Sequence, residues 1–113
     1  MNTPFVEIDS VAALEEFLKT SNGSAVTLFK HSNMCGVSAR AYREMSTLDF
    51  PVAMVVVQQA RPVSDEIEKR WHVDHETPQV LIVNGDRVVW NASHFEIKAA
   101  DVAAAFKAAG THQ

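Results

Sequence analysis

A second cysteine is missing. Cys35 is the only one in 113 residues, so no disulfide can close within one chain, and any bond formed at Cys35 takes its other sulfur from a small thiol or a protein partner. One cysteine builds no disulfide framework, a usage that fits a reducing compartment such as the cytoplasm. No run of about 18 apolar residues occurs, and the stretch from Met1 to Glu7 has no basic region leading into an apolar one. Neither export nor a membrane partner is expected. Glycine and proline, four of each, are too few for a disordered or fibrous chain. Positive charge is scattered: 10 Lys and Arg stand against 14 Asp and Glu, a formal charge of −4, which argues against nucleic acid as a partner. There is no phosphate-binding glycine loop and no flavin or nicotinamide fingerprint. His72, Asp74 and His75 have no further ligand cluster beside them, so no metal is expected.

What is present suits one compact domain over residues 1–113, with 47% hydrophobic and 21% charged residues. Phe5 to Ile8 alternates as a strand does. Asp9 or Ser10 can cap a helix through Val11 to Leu18, with Leu14, Phe17 and Leu18 on one face. Ser21 to Ser24 is a loop, Ala25 to Phe29 a short apolar strand, and Lys30 to Met34 a loop that delivers Cys35. A helix from about Cys35 to Ser46 places Tyr42 and Met45 inward and Arg40 and Arg43 in solvent. Pro51 to Val57 is the strongest buried strand. Ser64 is an N-cap candidate for a short helix through Trp71, with Asp65 and Glu66 in its first turn and Lys69 and Arg70 near its end. Strands at about Gln79 to Val83 and Arg87 to Trp90 flank Asn84-Gly85-Asp86, where Asn-Gly is a hairpin signal. Ala99 to Ala109 is a last helix, stopped by Gly110. The order β-α-β-α-β-α-β-β-α implies an α/β fold: a central mixed sheet of about five strands with helices on both faces.

Cys35 stands where an apolar strand gives way to a helical pattern. A helix N-terminus offers unpaired N–H groups and partial positive charge, which favour a thiolate over a thiol. A free cysteine elsewhere is commonly a buried small hydrophobe; this position, and Ser38 where Cys-x-x-Cys would have its second sulfur, argue for a monothiol nucleophile. Ser38 lies one turn on, and its hydroxyl can donate to the thiolate or bond backbone. Met34, beside the sulfur, offers adaptable apolar contact or fills a gap. Trp71 and Trp90 read as core or rim aromatics.

The element order resembles the thioredoxin-like fold. That resemblance implies a reactive cysteine opening the helix after the second strand and a cis X-Pro bond before the hairpin, the place of Thr77-Pro78. It implies exposed main chain at Thr77 and Pro78 that can pair with an incoming disulfide as an added strand. It also brings the loop carrying Ser93 and His94 near the cysteine, where His94 would stabilise the thiolate or protonate the leaving sulfur, or stand as a surface histidine. His31, four residues before Cys35, is the second candidate for that service.

His31 to Ser38, Arg61-Pro62-Val63-Ser64, His75-Glu76-Thr77-Pro78-Gln79-Val80 and Val89 to His94 narrow the match. The chain resembles the YtxJ-like monothiol bacilliredoxin family over nearly its full length. The resemblance implies that Cys35 removes bacillithiol from mixed disulfides, with S-bacillithiolated proteins as clients, bacillithiol as thiol co-substrate and no other cofactor, and a separate reductase or second thiol for regeneration. One departure stands out. The family motif commonly reads Thr-Cys-Pro-Ile-Ser, whereas this chain has Met34-Cys35-Gly36-Val37-Ser38, which frees φ and adds an N–H near sulfur. Gly36 also brings the motif closer to Cys-Gly-Phe-Ser of monothiol glutaredoxins, which bind an iron–sulfur cluster with glutathione. A glutaredoxin-like protein that acts on another low-molecular-weight thiol or binds such a cluster, or a non-catalytic thioredoxin-fold adaptor, is the alternative.

Overall fold

The computed structural model describes residues 3–21 and 23–110. Five strands, β1 (Phe5–Glu7), β2 (Val26–His31), β3 (Val52–Val56), β4 (Gln79–Asn84) and β5 (Arg87–Ser93), form one sheet in the order β1-β3-β2-β4-β5. The first three run parallel, and β4 and β5 are antiparallel additions. Four α-helices alternate with them as expected: α1 (Val11–Thr20), α2 (Gly36–Met45), α3 (Arg61–Trp71) and α4 (Ala99–Gly110). A 3-10 turn, η1 (His94–Glu96), joins β5 to α4.

The period of two in the strands decides which core each residue enters. Phe29, Val52, Met54, Val80 and Ile82 pack under α2 and α4, with Ala41, Met45 and Val102. Leu28, Ala53, Val55, Leu81 and Val83 pack under α1 and α3, with Leu14, Val63, Ile67 and Trp71. Both faces of the central strands are therefore apolar, which is why β3 is a continuous Val-Ala-Met-Val-Val run buried throughout.

Local chemistry explains most boundaries. Ser10, of the two candidates, caps α1, its Oγ accepting from the Ala13 N–H at 3.0 Å. Ser64 is not a cap: α3 begins three residues earlier, with Ala60 at the N-cap and Pro62 in the first turn, whose fixed φ and missing N–H suit that place. Ser64 is instead buried, with its Oγ 3.2 Å from His75 Nδ1. The hairpin turn is Gly85-Asp86, one residue later than Asn-Gly suggests, because Asn84 still pairs with Arg87. Gly85 alone of the turn pair has positive φ, +62°, the II′ pattern that calls for glycine first. The indole Nε1 of Trp71 donates to Gly85 O at 2.9 Å and ties α3 to this turn. Asn22, within the expected loop at 21–24, lies outside the described residues.

The largest difference from the sequence reading is at the end of β2. Lys30 and His31, expected in a loop, continue the strand and are buried. Lys30 is fully enclosed and paired across the sheet with Gln79. Among the described residues, neither its Nζ nor Gln79 Oε1 has a hydrogen-bond partner.

Candidate active site

The loop after β2 is short and polar, and it turns directly into α2. Ser32 is its anchor: its Oγ accepts from Gln58 Nε2 at 2.7 Å and from the Met34 N–H at 3.3 Å. Gln58 in return accepts from the Asn33 N–H at 3.2 Å. Cys35 follows as the N-cap of α2 in extended conformation. The first helical bond runs from the Ala39 N–H to Cys35 O, 3.0 Å, so the N–H groups of Gly36, Val37 and Ser38 have no intrahelical acceptor. No side chain caps this end. The half-exposed Cys35 thus sits at a helix N-terminus with no side-chain cap among the described residues.

Ser38 does not turn its hydroxyl to the sulfur. It is wholly buried, accepts from the Ser32 N–H at 2.9 Å and lies 2.7 Å from His31 Nδ1. With no other acceptor for the Ser38 O–H among the described residues, Nδ1 takes its proton, and the neutral imidazole then carries hydrogen on Nε2. Burial holds His31 below the usual histidine range, opposed in part by the Ser38 backbone. Tyr42, 5.1 Å away centroid to centroid, and Phe29, at 5.5 Å, hold the ring by tilted contacts. His31 and Cys35 line one cleft with Asn33, Ala39, Tyr42 and Arg43. His31, the second candidate from sequence, is therefore the histidine that shares a cleft with the thiol. The signal missed was a serine on the next helix facing back toward the end of the strand.

His94 stands elsewhere on the rim. It is exposed, its Nε2 is 2.8 Å from Glu76 Oε1, and its backbone is left-handed (φ 58°). Its N–H donates to Pro78 O at 3.0 Å. The Thr77-Pro78 bond is cis, as the fold resemblance implied. Because Lys30 pairs with Gln79, Pro78 lies level with His31 across the β2–β4 ladder, at the end of the sheet that leads to Cys35. The carbonyl of Pro78 is already used by His94; the main chain of Thr77 has no hydrogen bond among the described residues, so Thr77 offers the free pairing groups. Ser93 ends β5 opposite Gln79 and precedes η1. Met34 is 82% exposed and Phe95 60%, two large apolar side chains near the helix start and on η1. The Arg40 guanidinium lies 5.7 Å above the Phe95 ring, holding η1 against α2. A Cβ added at Gly36 would meet nothing within 4 Å, so no close approach demands glycine there.

His72 closes α3 in left-handed conformation, and His75 pairs with Ser64 and donates its N–H to Glu68 Oε2 at 2.9 Å. Burial, then the nearby positive charge of Lys30, pushes His75 below the usual histidine range. Burial likewise brings Lys30 down to about 8, against the pull of Glu68, Asp65 and Glu76.

Residues 6–102 match the profile of a family described as monothiol bacilliredoxin BrxC. A solved structure described as a candidate oxidoreductase with a thioredoxin fold is 30% identical over 90% of this chain and 93% of its own, with a TM-score of 0.81. Thioredoxin from Fasciola hepatica is 13% identical, covering 91% of this chain and 97% of its own, TM-score 0.73. A thioredoxin f2 solved in complex with ferredoxin:thioredoxin reductase is 23% identical, covering 94% of each, TM-score 0.66. The architecture is the thioredoxin fold.

Proposed function

Because the chain belongs to the monothiol bacilliredoxin family, we propose that it removes bacillithiol from mixed disulfides on oxidised proteins, with Cys35 as the nucleophile. The observation that carries this reading is the setting of Cys35: one half-exposed thiol at the uncapped start of α2, in a chain with no other cysteine.

The Cys35 thiolate attacks the bacillithiol sulfur. The bond between that sulfur and the client's breaks, the client sulfur leaves with the electron pair and takes up a proton, and a new S–S bond joins Cys35 to bacillithiol. The N–H groups of the first turn, including the one that Gly36 has and proline would lack, stabilise the attacking anion. The free main chain of Thr77 beside cis-Pro78 receives extended client backbone, Met34 supplies apolar contact, and His94, held by Glu76, returns a proton to the departing client sulfur. Ser38 acts through His31 as a positioning residue. With no resolving cysteine in the chain, a second low-molecular-weight thiol or a separate reductase regenerates Cys35. A reducing cytoplasm is the compartment that suits this cycle. No helix among the described residues is long and apolar enough to cross a membrane.

The test is intact-mass spectrometry of reduced protein mixed with a bacillithiolated client, a glutathionylated client in parallel. Transfer of the bacillithiol mass to this chain with release of client thiol, absent in Cys35→Ser, is expected. No transfer of either small thiol would refute the reading.

A further inference from the structure

We propose that the cleft running along α2 from Cys35 to Arg43 seats the acidic half of the small thiol, with Arg43 pairing its carboxylate. The assignment deepens the transfer reaction above and rests on it.

The cleft has a volume of about 300 Å³. Cys35, Ala39 and Arg43 are spaced i, i+4, i+8 and so lie in a row along one helix face. Eight residues advance the helix by about 12 Å. Side chains lean toward the helix N-terminus, so the guanidinium reaches back over Ala39, on the order of 6–12 Å from the sulfur. Ala39 carries only a methyl group and leaves the floor between them low. A thiol compound longer than a lone cysteine, with its acid at the far end, spans this distance.

The groups that face the cleft are set up for an anion. Arg43 has no carboxylate partner among the described residues. Its neighbour Glu44, the only acid on α2, is turned away, its Oε1 accepting from the Ala99 N–H of α4 at 2.7 Å. Arg40 is occupied over Phe95 on the opposite flank. His31, 9% exposed and nine-tenths buried, lines the cleft with Nδ1 tied to Ser38 and Nε2 without a hydrogen-bond partner among the described residues. The tautomer fixed by Ser38 makes that nitrogen a donor. Tyr42, Ser32 and Asn33 complete the lining, and no Asp or Glu is part of it. A chain of net charge −4 thus keeps an unneutralised arginine and a buried imidazole donor beside its only thiol.

The geometry of exchange separates the two halves of the substrate. Attacking, central and leaving sulfurs line up, and the central sulfur belongs to the small thiol, so the small thiol is held against Cys35 while the client departs outward. The rim of Met34, Thr77 and His94 serves the client, which leaves the α2 flank for the small thiol.

The test compares transfer from one client protein carrying bacillithiol, whose malate end is a dicarboxylate, with transfer from the same client carrying bacillithiol as its malate dimethyl ester. Wild type is expected to favour the acid by about tenfold, the scale of one part-exposed charge-assisted pair. Arg43→Gln is expected to bring that ratio near unity through a higher KM for the acid, with kcat on it retained. Arg43→Lys is expected to keep part of the preference. An acid-to-ester ratio in Arg43→Gln equal to that of wild type overturns the assignment while the transfer reaction stands. Absence of transfer from both adducts by wild type overturns both.

Discussion

Lys30 is charged where nothing receives its charge. Its side chain is fully enclosed on the α1/α3 side of the sheet, and its Nζ has no hydrogen-bond partner among the described residues. Asp65, Glu68 and Glu76 attract it without offsetting the loss of water, and the amine loses its proton at about 8 rather than 10.5. Between those values the unfolded chain holds a proton that the folded chain has released, so stability rises with pH across that window. Below 8 both states are protonated and the full cost remains. A difference of 2.5 between the two values converts to about 3 kcal/mol at 1.36 kcal/mol per unit. Lys30→Met, which keeps the length of the side chain and removes the charge, is therefore expected to be more stable than wild type at pH 7 by up to about 3 kcal/mol. The two proteins are expected to converge as pH climbs to 10.5. Urea denaturation at steps of pH from 7 to 10 measures both free energies, and other groups titrating in that range cancel in the difference. A variant less stable than wild type at pH 7, or a gap that does not shrink with pH, would refute the argument.

Two further substitutions probe the thiol's surroundings. Ser38→Ala strips a partner from both the Ser32 N–H and His31 Nδ1, so unfolding by urea is expected to show a loss of about 1–3 kcal/mol; a loss below about 0.5 kcal/mol, the level of a neutral surface change, would mean that the pair does not organise this end of the sheet. Gly36→Pro meets open space, removes an N–H that no intrahelical carbonyl uses, and follows a residue already extended at φ −131° and ψ 129°. Thermal unfolding is expected to show a gain of roughly 0.4–1 kcal/mol, and destabilisation would show that the first turn is not shaped as described.

The sequence announced the sheet wherever apolar period and burial agree. The β3 run, the α2 face with Met45 inward, and the Cys35 junction stand where pattern alone places them. It misled where a polar residue does interior work. Lys30 and His31 read as loop because lysine and histidine are seldom enclosed, yet both continue β2 because the ladder to β3 and β4 extends to them. Ser64 looked like a cap because serine followed by acids is the usual start of a helix, but Pro62 had already set the first turn. The edge strand β5 runs to Ser93, past Trp90, because Asn91 is exposed and Ser93 only half-buried on an edge where polarity carries little penalty. At the site, the cysteine and the cis proline were legible, one from its junction and the other from the fold resemblance. The surroundings of the histidines were not, since their partners, Ser38 for His31 and Glu76 for His94, are set by where helix and loop return to the sheet.

The strand that feeds Cys35 is the middle one of the five, with a neighbour bonded along each side. Amide exchange is slowest in such strands, because they open only when the molecule as a whole does. The only thiol of the chain is thus suspended from its least yielding part, a few residues from backbone that seldom sees solvent. The proposed exchange asks no breathing of the scaffold: the aim of the sulfur is set once, during folding.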